Sequence, residues 1–170
     1  EAYMPVTDTY IEKDSSINEE IDKLRIKSST SLVSRKDVIV IASVSCIYGV
    51  GSPKEYIDLL ITVKKNQIIN PKDLFKSLID IHYLRNDMVL DGGIFRVRGD
   101  IVDIFPIYDE NPIRLEFFGD EIEKISTFDL ITGEILEEIE QVTFYPCKNF
   151  VTSKETIEKG IKSIKKELFD

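Results

Sequence analysis

The stretch Ile94-Phe95-Arg96-Val97-Arg98-Gly99-Asp100-Ile101-Val102-Asp103-Ile104-Phe105-Pro106 decides how this chain is read. It predicts two short strands around a Gly-Asp turn. Side chains alternate along a strand, so Phe95 and Val97 take one face and Arg96 and Arg98 the other. A third strand is predicted at Ile113 to Phe118. There Ile113, Leu115 and Phe117 lie on one side and Arg114, Glu116 and Phe118 on the other. If the strands pair, Arg96, Arg98, Arg114 and Glu116 share an exposed face. The guanidinium fork suits partner carboxylates better than a lysine does. The residues alone leave two readings: a solvated sheet face, or a surface that docks another protein.

Outward from this stretch, further strands are predicted at Met88 to Leu90, Ile122 to Phe128 and Val142 to Tyr145. Gly92-Gly93, Gly99-Asp100, Gly119-Asp120 and Thr132-Gly133 supply the turns. Before the strands, Asn70-Pro71 opens a helix on which Leu74, Leu78 and Ile81 fall near helical spacing, widened by Phe75 and Ile79. Ile61 to Lys65 is extended, and Ser52-Pro53 starts another helix. Asp37 to Ala42 is a continuous apolar, β-branched run, predicted as a strand buried on both faces of a parallel sheet. Ser15 or Ser16 caps a helix, with Glu19 at capping-box spacing from Ser16. Its stripe is Ile17, Ile21, Leu24, Ser28 and Leu32. Residues 1–14 read as one exposed ribbon, and Ile157, Ile161, Ile164 and Leu168 mark a final helix.

The chain has 170 residues and a formal net charge of -9. Residues 56–146 carry 9 Lys plus Arg against 18 Asp plus Glu, so this middle segment holds the whole excess. Nucleic-acid binding rests on positive charge, so so acidic a segment suits a protein partner better than a phosphate backbone. No apolar run reaches the roughly 18 residues of a membrane span, and there is no secretory pattern. The chain begins at Glu1 without Met, which suggests an excised piece. Cys46 and Cys147 read as small buried hydrophobes. His82, the single histidine, reads as an end-of-helix or packing residue rather than a base. Glu134, Glu137, Glu138 and Glu140 read as a solvated face rather than acid/base pairs. A nucleotide site needs a glycine loop ending in Lys and Ser or Thr. Gly49-Val50-Gly51-Ser52-Pro53-Lys54 only imitates one, because Pro53 removes an N–H.

Phe95-Arg96-Val97-Arg98-Gly99-Asp100 and Arg114-Leu115-Glu116-Phe117-Phe118-Gly119-Asp120-Glu121 resemble the UvrA-binding domain of the UvrB family of bacterial nucleotide excision repair. A related module occurs in the transcription-repair coupling factor. The run from Glu1 to Asp14 is similar to the second part of the UvrB β-hairpin, which the coupling factor lacks. Ala42-Ser43-Val44-Ser45-Cys46-Ile47-Tyr48-Gly49 also matches UvrB, so the resemblance covers essentially the whole chain.

The resemblance implies an α+β inserted domain at residues 57–147, helices followed by an antiparallel sheet. It would be attached to a partial α/β helicase-like motor domain, residues 1–56 and a return helix at 148–170. It places Arg85, Asn86, Asp87, Arg96, Arg98, Arg114 and Glu116 at UvrA-docking positions. Tyr3, Tyr10, Lys13, Ser43, Ser45 and Tyr48 fall at DNA-contacting positions. Residues 1–14 are expected to lack order for want of a strand partner, the first half of the hairpin preceding Glu1. The loop Ile107 to Pro112 looks one residue shorter than is usual in the family. The implied function is loading by UvrA, ATP- and magnesium-dependent damage verification, and recruitment of the UvrC nuclease, in the bacterial cytoplasm. No cofactor and no catalysis are expected of the 170 residues themselves. A homodimer through uncovered motor-domain surfaces is a further expectation. Replacing Arg96 and Arg98 together by alanine is expected to abolish docking and leave the fold intact. The rival readings are an autonomous nucleic-acid-binding domain and the coupling-factor module.

Overall fold

Asn70 starts the helix that carries the core. Its side chain accepts the Lys72 N–H at 2.9 Å, and Pro71 has no N–H to leave unpaired. The helix α3, Pro71–Asp80, presents Leu74 and Leu78, both fully buried. Ile81 follows in the same core. His82 then takes a left-handed φ of 70° and ends the helix, exposed to solvent. The expected end-of-helix role for His82 therefore holds, whereas Ile79 faces outward.

The computed structural model describes residues 2–4, 9–11, 19–42 and 53–148, with 161, 162, 164, 165, 167 and 168 of the last helix. α1 is Glu19–Ser34, α2 is Pro53–Asp58, and the strands are β1 Ala2–Met4, β2 Thr9–Ile11, β3 Ile61–Lys64, β4 Leu84–Arg85, β5 Ile94–Arg98, β6 Ile101–Phe105, β7 Ile113–Phe118, β8 Glu121–Phe128, β9 Ile135–Glu138 and β10 Gln141–Phe144. β4 to β9 form one six-stranded sheet in sequence order. Its pairs are antiparallel, except that the edge strand β4 lies parallel to β5. The expected antiparallel sheet is thus a mixed one. β3 and β10 pair separately.

The two-residue turns at Gly99-Asp100 and Gly119-Asp120 put a positive φ on the glycine alone, 61° and 63°. That is the type II′ pattern, whose twist matches the strands it joins. The strand faces follow the expected alternation. Phe95, Val102, Ile104, Ile113, Leu115, Phe117, Ile122 and Ile125 are buried on the α3 side, with Val63 and Phe144 from the β3–β10 ribbon. Phe75 of α3 stacks on Phe95 with centroids 5.7 Å apart.

Several expectations are corrected. Met88 to Leu90 is not a strand: the chain bends at Asp87 and Met88, where Asn86 Oδ1 accepts the N–H groups of Met88 and Val89. Residues 38–42 are not in a strand: among the described residues nothing pairs with them, and Ile39 and Ile41 are 91% and 97% exposed. α1 buries Ile26 and Thr30, whereas Ile21, Leu24 and Leu32 are exposed. The expected stripe faces the open segment instead, where Leu24 and Ser28 line a cleft with Val38 to Ile41. β1 and β2 pair with each other, so residues 1–14 do contain a two-stranded ribbon. Ser15, Ser16, Ile17 and Ile157 lie outside the described residues.

Cys147 is buried, its Sγ 3.5 Å from where a Cβ on Gly93 would stand. Burial pushes its thiol up to about 12. The fold thus favours the protonated thiol. This contribution is complete below roughly pH 8.5, where an unfolded thiol titrates, and is lost as pH rises towards 12. In a Cys46→Ser variant at pH 8.5, iodoacetamide is expected to label Cys147 only when denaturant opens the domain. Labelling of the native protein at the rate of a free thiol would contradict this.

Candidate functional site

Strand register builds the site. Arg96 of β5 lies opposite Asp103 of β6, and Asp103 lies opposite Arg114 of β7. All three occupy the sheet face away from α3, since their neighbours Phe95, Ile104 and Ile113 fill the core. Asp103 is only 2% exposed. Arg96 Nε donates to its Oδ2 at 2.9 Å, Arg114 Nε donates to Oδ1 at 2.7 Å, and Arg114 Nη2 donates to Oδ2 at 3.1 Å. Arg96 Nη2 stands 2.8 Å from Oδ2 as well. The Asp103 hydrogen bonds hold the Arg114 guanidinium above its ordinary pKa. The other side of that guanidinium rests on Phe128, 4.4 Å from the ring centroid, a cation–π contact. Arg96 and Arg114 keep 16% and 22% of their side-chain surface. They share the predicted face, but they are not the open cations expected there. A buried carboxylate needs charged partners, and these two supply them.

The next row on the same face is Arg98, Ile101, Glu116 and Lys124. Arg98 is exposed and Glu116 half-buried. Lys124 Nζ pairs with Glu138 at 2.7 Å. At the sheet edge the arrangement differs. The Arg85 guanidinium lies 5.9 Å from the centroid of Phe75, on the α3 side of the sheet, and pairs with Asp87 at 2.9 Å. Asp87 Oδ1 also accepts the Val97 N–H at 3.0 Å. The Arg85 hydrogen bond, then that N–H, hold the Asp87 carboxyl below its ordinary range. Asn86 is spent on the turn at Met88, and its own N–H donates to the Phe95 carbonyl at 3.0 Å. Asn86 and Asp87 therefore fasten the edge. Arg98 and Glu116 lie on the sheet face away from α3, and Arg85 reaches around to the other.

Sequence reasoning missed Asp103. Its signal is an acidic residue between apolar pairs, Ile101-Val102 and Ile104-Phe105, at mid-strand. Among the expected DNA-contacting residues, Tyr3 and Tyr10 lie directly opposite each other in the β1–β2 pair. Lys13, Ser43, Ser45 and Tyr48 lie outside the described residues. Among the described residues no group of His, Cys, Asp and Glu is arranged to hold a metal ion, and no helix is long and apolar enough to cross a membrane.

A stiff sheet with a fixed charged face, backed by a helix-covered core, defines a small interaction domain. The chain belongs to the family described as the UvrB interaction domain, whose profile matches residues 61–150. It is 53% identical to UvrABC system protein B of Carboxydothermus hydrogenoformans and of Bacillus subtilis, over 99% of its length and 26% of theirs. It is 49% identical to UvrABC system protein B of Streptomyces coelicolor, over 99% of its length and 24% of that protein. The chain spans about a quarter of the length of these curated relatives.

Proposed function

We propose that this chain is the UvrA-docking module of a UvrB protein in bacterial nucleotide excision repair. The observation that carries the reading is one sheet face on which two arginines are fixed by one buried carboxylate while Arg98 stands exposed beside them. Arginine is frequent among interface anchors, and a rigid platform lowers the entropy lost on binding. The acidic balance of residues 56–146 favours a protein partner over DNA at this face. In the longer protein, attached to a helicase-like motor domain, the module brings UvrA to a subunit that verifies damage with ATP and magnesium and recruits UvrC in the cytoplasm. Tyr3, Tyr10, Lys13, Ser43, Ser45 and Tyr48 belong to its DNA path. No catalysis is assigned to the 170 residues, which contain no phosphate-binding glycine loop ending in Lys-Ser or Lys-Thr.

The test is binding of the purified chain to UvrA. Arg96 is unsuited to it, because its removal also strips a partner from buried Asp103. Arg85→Ala with Arg98→Ala is the cleaner pair, since both side chains are exposed. Exposed ion pairs such as Arg85–Asp87 contribute little to stability, so the melting curve should be unchanged. UvrA affinity is expected to fall roughly 100-fold, two anchor residues' worth. Retained affinity with a normal melt would refute the reading.

A further inference from the structure

We infer that Asp103 is a positioning residue that presets Arg96 and Arg114 as a rigid twin-guanidinium receptor for one carboxylate side chain of the docking partner. The inference rests on the docking reading above and assigns its recognition chemistry.

The trio is one positive charge in excess. A guanidinium carries five N–H donors. Asp103 engages Nε and Nη2 of each arginine, so the Nη1 groups of both are unspent in this trio. Both side chains retain some surface at which a partner can meet them. A surface arginine ordinarily loses much rotamer freedom on binding. Here that freedom is already gone, because Asp103 holds the fork of each arginine and Phe128 backs the plane of one. The polar row continues to Ser126, directly opposite Arg114 and fully buried, whose Oγ has no hydrogen-bond partner among the described residues. For stability alone, packed hydrophobes would serve this row as well. The domain around the trio is acidic, so a partner carboxylate is repelled elsewhere and accepted here, which makes the site selective as well as adhesive.

The experiment measures association and dissociation of the full chain on immobilised UvrA. Asp103→Asn keeps the shape, frees the arginines and adds net positive charge. Dissociation is expected to speed up roughly tenfold or more, while association at low salt is unchanged or faster. The fraction of binding-competent molecules should match wild type, and Asp103→Glu should restore slow dissociation. A purely structural role would instead lower the competent fraction and leave dissociation of the remainder unchanged, and that result would overturn the inference. If Asp103→Asn fails to fold, Arg114→Lys keeps the charge, loses the fork and should show the same faster dissociation. Wild-type dissociation rates in that folded variant would likewise overturn it. Failure of the wild-type chain to bind UvrA at all would sink the docking reading itself, whereas wild-type binding with unaltered variants would sink only this inference.

Discussion

Asp103→Ala is expected to destabilise the domain by about 3–5 kcal/mol, the usual cost of removing one partner from a buried ion pair. The figure is a large share of the total stability of a small domain, roughly 5–15 kcal/mol. The reason is asymmetric. Asp103 contributes little apolar area, but its loss leaves two guanidiniums facing each other, each four-fifths or so covered. Their hydrogen bonds at 2.7–3.1 Å have no replacement in an alanine. Urea titration reads the loss as a lower midpoint at an unchanged slope. A second variant separates charge from packing. Arg96→Met, Asp103→Leu and Arg114→Leu together remove every charge of the trio and fill the same space. That triple variant should be about as stable as wild type, or more so, as buried ion-pair replacements often are. It should nonetheless fail to bind UvrA. A triple variant as unstable as Asp103→Ala would show that the trio holds the sheet together and is not retained for recognition.

Much of the central sheet is legible in the sequence. β5 to β8 alternate, and two glycine turns of fixed length leave one register that puts Phe95, Val102, Ile104, Ile113, Leu115 and Ile125 together on the core side. α3 is legible for a similar reason: its cap, its proline and its stripe agree. The two sheet edges are not. β4 has two residues, and all four residues of β9 are exposed, so neither carries a burial period to read. Asp37 to Ala42 misleads in the opposite direction. Its composition suits a buried strand, but composition does not supply the neighbours that bury it. The arginine face is legible in position and not in state. Alternation puts Arg96 and Arg114 on one side, yet only cross-strand register reveals that a single carboxylate stands between them. Arg85 shows the same limit: its neighbours in sequence point to the patch, while its contact with Phe75 places it around the edge.

Phe95→Ala is expected to cost about 3–5 kcal/mol, as for other fully buried aromatic side chains cut to alanine. Phe95 is fully buried, lies opposite Ile104, and stacks on Phe75. The cavity would open beneath β5, between the sheet and α3, where close packing leaves neighbours little room to collapse. This strand carries Arg96 and Arg98 on its other side, and its edge is held by Asn86 and Asp87. A core substitution on one face should therefore reach the arginine face through the backbone they share. Hydrogen exchange would report it as faster exchange at the Val97 N–H, which Asp87 accepts, and at the Asn86 N–H bonded to Phe95. Phe95→Leu keeps most of the volume and should recover most of both effects. If Phe95→Ala instead lowered the urea midpoint while exchange at those two amides stayed at the wild-type rate under native conditions, core and face would be mechanically separate. The rigidity invoked for Arg96 would then have to come from Asp103 alone.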